Sequence, residues 1–218
     1  MPKVGAEPKR RADVVNATLT CISKYGIDGM TLDKVAAQAG CSKGVVTYYY
    51  KNKDELTVEA FKSFMAYYGV KIEAEIEGGM PAGAMLEVAL KHLLPPYGED
   101  AGTSINVSQL DGIAEMRIPL DDQARLFVQF FSRAAVDPKL REIMSLSYAA
   151  NLAGIARIFE HGDRTGELTA PDAHGAAYGL LAMVVGLSFF RVANVAPAAG
   201  GDNRSICEDY AKSFMKRP

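Results

Sequence analysis

Residues Thr31–Leu56 read TLDKVAAQAGCSKGVVTYYYKNKDEL. Thr31 is a good N-cap for a short helix in which Leu32, Val35, Ala36 and Ala39 share one face. Gly40 stops that helix, and Ser42 can cap another running to about Tyr49. Asn52 followed by Glu55 resembles a capping box, opening a long helix to roughly Ile76. Two short helices joined by a tight glycine turn make a helix-turn-helix. The first braces the second through Leu32, Val35, Ala36 and Val46, and the second offers its N-terminal half to a major groove.

Groove entry demands short or polar residues at that leading edge, and Ser42, Lys43, Gly44 and Thr47 meet the demand. Lys43 can donate to guanine O6 or N7. Thr47 can bond a base edge or touch a thymine methyl, and Val45 can make a similar apolar contact. Gly44 lets the backbone lie close to the duplex. Tyr48, Tyr49 and Lys53 suit phosphates, as do Thr31 and Lys34 from the bracing helix. Lys9, Arg10 and Arg11 form a basic arm that adds electrostatic grip and is predicted to reach an adjacent minor groove.

Charge agrees. Residues 1–53 hold nine Lys/Arg against four Asp/Glu, whereas residues 54–218 hold fifteen against twenty-two, within a net charge of −2. A basic head on an acidic body is expected when one end meets a polyanion. Before the quoted stretch, Val14, Ala17, Thr18, Cys21, Ile22 and Tyr25 fall on one helical face, ended by Gly26.

The run Gly26…Thr31-Leu32-x-x-Val35-Ala36-x-x-Ala39-Gly40-Cys41-Ser42-x-Gly44, continued by Tyr49-Tyr50-x-x-Lys53-x-x-Leu56, resembles the TetR-family signature over about residues 9–60. Cys41 stands where valine is usual, Tyr50 where phenylalanine is, and Thr47 where tyrosine is. The N-terminus, with Thr47, also resembles the choline-responsive repressors of betaine synthesis. The resemblance implies an all-α fold, an N-terminal three-helix DNA-binding head (1–53) and a helical effector-binding and dimerisation body (54–218). It further implies a dimeric, ligand-responsive repressor of a palindromic operator.

Past the head, helices are predicted near 82–94, 104–115, 120–135, 138–162, 171–195 and 203–216, punctuated by prolines. Gly175, Gly179, Ala182 and Gly186 form a small-residue stripe that, with Met183 and Leu187, suits a dimer contact in a four-helix bundle. The alternative is packing within one subunit. By analogy with the family, Met65, Tyr68, Met85, His92, Met116, Phe127, Phe131 and Tyr148 are candidate effector contacts, each also readable as plain core. The helix from Asn52 to Ile76 is the expected lever between head and body.

The sixteen uncharged residues Gly175–Phe190 fall short of the roughly 20 that a membrane span needs, so a buried helix is expected. Three cysteines and no apolar leader point to a reducing cytoplasm. Cys41 reads as a small buried hydrophobe, with redox sensing as the alternative. His92, His161 and His174 lack metal spacing, and no P-loop, dinucleotide fingerprint or nucleophile elbow is present, so no cofactor and no catalytic residue is predicted. The competing reading is a helical enzyme or adaptor that never meets DNA. A regulator switched by a protein partner is a third.

Overall fold

The computed structural model describes residues 6–94, 120–197 and 202–215. The predicted helix at 104–115 and the candidate Met116 lie outside them. The described residues form nine helices: α1 (Ala6–Gly29), α2 (Leu32–Gln38), α3 (Lys43–Tyr49), α4 (Lys53–Glu75), α5 (Ala82–Leu93), α6 (Leu120–Val136), α7 (Pro138–Thr165), α8 (Ala173–Val192) and α9 (Asn203–Lys212). Extended pairing among them is limited to one isolated bridge, Leu168 with Met215. The all-α expectation holds, and the predicted caps at Thr31 and Asn52 both form. The Thr31 hydroxyl accepts from Lys34 N at 3.3 Å, and Asn52 Oδ1 accepts from Glu55 N at 2.8 Å. Glu55 returns its carboxylate to Lys51 N at 2.9 Å, one residue earlier than a regular capping box requires.

Two compact units divide the chain. The first comprises Met1–Val70 and Asp100–Met144. Its described core is aromatic and aliphatic: Leu19, Ile22, Met30, Leu56, Phe61, Phe64, Tyr68, Leu126 and Phe130 are fully buried. Phe64 lies edge-on to Phe127 at 5.0 Å and to Tyr68 at 5.3 Å, and Phe61 to Phe130 at 5.2 Å. Such pairs add about 0.5–1.5 kcal/mol each beyond the area they bury. Here α6 packs along α1.

Gly26 breaks α1 with φ +72° and ψ 166°, a conformation essentially reserved for glycine. The predicted end at Gly26 is therefore a kink, after which one more turn runs to Gly29. The chain is helical from Ala6, so Lys9, Arg10 and Arg11 ride on the first turns of α1. This corrects the expectation of an arm: a helix about 10–12 Å across does not thread a minor groove about 6 Å wide.

The second unit comprises Lys71–Glu99 and Ser145–Pro218. Glu167 anchors the start of α5, its Oε2 accepting from Ala82 N at 2.7 Å. Phe214 packs edge-on against Phe159 at 5.2 Å and Tyr210 at 5.3 Å. Asp202 and Ser205 form a reciprocal capping box at the start of α9. Cys207 is buried behind it, and that burial pushes its thiol up to about 12.

Candidate nucleic-acid interface

The turn between α2 and α3 is built by backbone geometry. Gly40 adopts φ +62°, its N donates to Ala37 O, and Cys41 N donates to Ala36 O. These are the two bonds of a Schellman cap, and they end α2 sharply enough for only four residues to separate it from α3. Val35, Ala36 and Val46 are buried between the two helices, as predicted, while Leu32 is half-buried. Cys41, read from the sequence as a small buried hydrophobe, is half-buried.

The opposite side of α3 is open. Ser42, Lys43, Gly44, Thr47 and Tyr48 are exposed, Tyr48 at 76%, and Val45 and Tyr49 are half-buried. Ser42 occupies the N-cap position without a side-chain cap bond, so its hydroxyl is not spent on the helix. The Thr47 hydroxyl donates back to Lys43 O and Gly44 O at 3.1 and 3.2 Å, which leaves its oxygen lone pairs free to accept. Tyr48 and Tyr49 brace one another edge-on at 5.0 Å.

The cations are positioned by the fold. Lys43 pairs with Asp33 at 2.9 Å, with both groups mostly exposed. Lys34 donates to Gly29 O at 2.7 Å and sits 4.3 Å over the Tyr25 ring. Lys53 donates to Asp28 O at 2.8 Å, tying the start of α4 to the end of α1. Arg11 lies 5.5 Å over the buried Tyr50 ring. Its hydrogen bond to Tyr50 holds the guanidinium above its usual value, while burial pushes the phenol up. Thr31, Lys9 and Arg10 are exposed. Each predicted contact residue on α2 and α3 is thus exposed or half-buried.

Two residues that local sequence reading missed fasten this head. Gln129 of α6 accepts from Ile27 N at 3.2 Å through its Oε1, which also lies 3.1 Å from where a Cβ on Gly26 would stand. Arg133 of α6 reaches Asp28 and Asp54 at 3.6 Å and Asp137 at 3.4 Å. A bond between residues 102 positions apart leaves no trace in helical periodicity.

The predicted effector contacts divide. Met65, Tyr68 and Phe127 are buried and Phe131 half-buried in the first unit, where Tyr68 and Phe127 stack at 5.7 Å. Met85, His92 and Tyr148 are half-buried in the second. His92 bonds Glu75 at 2.8 Å. Burial lowers its affinity for a proton, and Glu75 offsets that only in part.

Along α8, Gly175 leaves room for the Asp172 N-cap carboxylate, and Gly179 for the Tyr210 hydroxyl of α9, so these two glycines serve contacts within the chain. Ala182 and Gly186 are exposed, and Met183 and Leu187 are half-buried. The helix is long and apolar enough to cross a membrane by length and composition, yet only 33% of its most apolar window is buried. The expected buried helix is instead an apolar helix with one open face.

A family model described as bacterial regulatory proteins of the TetR family matches residues 14–60. One described as the C-terminal region of BetI-type transcriptional repressors matches residues 108–216, half of the chain. The chain belongs to the TetR family. It is a transcriptional regulator with a BetI-type C-terminal region. The transcriptional regulator BetI of Paraburkholderia phymatum is 28% identical over 187 residues, covering 86% of this chain and 83% of that protein. The BetI of Serratia proteamaculans is 30% identical over 77 residues, 35% of this chain and 39% of that protein. A transcriptional regulator from Saccharomonospora viridis, solved in complex with choline, shares the fold at TM-score 0.75 and 18% identity, covering 95% of this chain and 98% of that one.

Proposed function

We propose that this TetR-family regulator represses transcription in the cytoplasm by binding a palindromic operator as a homodimer, and that a small organic effector releases it. The exposed leading edge of α3 carries the DNA half of this reading. Ser42, Lys43, Gly44 and Thr47 face solvent at the one place where a short helix is braced from behind by buried Val35, Ala36 and Val46. Lys43 and Thr47 read bases. Tyr48, Tyr49, Lys53, Thr31 and Lys34 hold phosphates, with Lys9, Arg10 and Arg11 adding field from α1.

Two such heads must be presented about 34–36 Å apart to engage successive turns of a palindrome. A second copy on the open face of α8 supplies the pairing. Tyr178, Ala182, Gly186 and Phe189 follow one another along that face, and the two aromatics are 67% and 36% exposed. Met183 and Leu187 flank it. Small residues between aromatics permit the close approach that an isologous helix pair needs.

The effector is a small molecule held in the body, and choline, bound by the Saccharomonospora relative, is the first probe. It acts by favouring a head arrangement unsuited to the operator. The test is a mobility-shift titration with palindromic DNA from the chain's own upstream region. Binding is expected to weaken with salt, to fall at least tenfold in Lys43→Ala with Lys53→Ala, and to be released by choline. Binding that ignores salt and survives both substitutions defeats the DNA reading. Operator affinity unchanged at saturating choline defeats the choline-type effector.

A further inference from the structure

Gln123 lies in the first turn of α6, and its side chain is buried. Its Oε1 accepts the Tyr68 hydroxyl at 2.9 Å. Its Nε2, equally shut from solvent, has no hydrogen-bond partner among the described residues. The Tyr68 ring is bounded by rings: Tyr67 at 5.2 Å, Phe64 at 5.3 Å and Phe127 at 5.7 Å. A buried amide donor without an acceptor forfeits the bonds it made in water, and a methionine would fill similar volume without that loss. Turning the amide over leaves Oε1 bare instead, so one end of this group is open in either orientation.

We infer that Gln123, steadied by Tyr68, is the polar anchor of the effector site, and that the effector presents it with a hydroxyl or carbonyl oxygen on a body that suits aromatic surroundings. The inference rests on the effector reading above. A hydroxyl satisfies either amide orientation, since it both donates and accepts. A weakly hydrated organic cation is the body best matched to ring faces. The position also has a mechanical meaning. Gln123 shares α6 with Gln129 and Arg133, the residues that hold α1, so an occupant at the start of the helix acts on the element that grips the head.

The test compares choline with tetramethylammonium, which keeps the cation and lacks the hydroxyl, by calorimetric titration of the full-length protein. The wild type is expected to prefer choline by at least about tenfold, the scale of one hydrogen bond to a buried group. Gln123→Met is expected to bind both compounds alike. Full preference retained in Gln123→Met overturns the anchor while leaving the effector reading standing. Binding of neither compound by the wild type defeats the cationic effector and the anchor together. A second measurement guards against a variant that merely misfolds: Tyr68→Phe with Gln123→Met removes both members of the pair and is expected to keep the wild-type melting temperature. A fall of more than about 4 °C, on the usual scale for a chain of this size, would mean that the fold itself satisfies the amide, and would overturn the proposal.

Discussion

Asp33 and Lys43 meet at 2.9 Å, and α3 contains no other charged side chain. An exposed ion pair is worth about 0–1 kcal/mol, whereas a good bidentate base contact is worth about 1–3 kcal/mol. On the proposed reading, guanine is expected to displace Asp33 from Lys43, while a phosphate chain without matching base edges competes less well and meets the aspartate's repulsion. Asp33→Asn is expected to raise affinity for random duplex more than for operator, and to steepen the salt dependence on random duplex by about one ion. Both effects should vanish when Lys43→Ala is already present. Anisotropy titrations across salt concentrations measure this, and persistence of the effect without Lys43 would reduce Asp33 to a general field charge. At Gly26, φ +72° strains any side chain, and a Cβ would stand 3.1 Å from the Gln129 oxygen. Gly26→Ala should cost about 1–3 kcal/mol, seen as a lower denaturation midpoint. At this scale the sequence announced the actors and not their partners. Thr31 and Gly40 were legible because turn chemistry and helix caps are local, whereas the Asp33–Lys43 pair depends on how two helices cross.

Helices α2 and α4 were readable because a local side-chain cap marks the start of each. Asn52 and Glu55 opened α4, and Asp172 caps α8 from a stretch whose composition alone suggested a fully buried rod. That suggestion missed the open face because apolar residues all round a helix do not say which of them meets a neighbour. A second candidate for the transmission element escaped the sequence for the same reason. Sequence continuity favoured α4, whereas α6 holds the end of α1 through Gln129 and holds Asp28 and Asp54 through Arg133. Effectors in comparable systems change affinity by about 5–150-fold. Gln129→Ala with Arg133→Ala should shrink the choline effect on operator affinity to under about threefold, measured as the ratio of dissociation constants with and without choline. A ratio left at its wild-type value returns the lever to α4.

For the whole molecule, the decisive quantity is the number of heads per particle. Gly186 is exposed with open space around it, so Gly186→Glu should leave the subunit folded while placing a carboxylate in the proposed pairing face. Sedimentation should then report a monomer with unaltered helicity, and operator affinity should drop by at least about a hundredfold, because one half-site loses the benefit of its tethered twin. A dimer that survives this change relocates the contact away from α8. The resemblance carried in Thr31–Leu56 foretold the family, but a small-residue stripe serves neighbours inside and outside a subunit equally well, and Gly175 and Gly179 serve the inside.

The latch between α6 and the corner at Gly26–Asp28 bears on protein engineering. Regulators of this kind invite the exchange of DNA readers between relatives, with the splice placed just after the recognition helix. In this chain such a graft at residue 53 would separate Ile27 and Asp28 from the glutamine and arginine that were shaped to receive them, more than a hundred residues downstream. A transplanted reader would sit in a socket cut for another key, and a working hybrid should need positions 129 and 133 exchanged together with it.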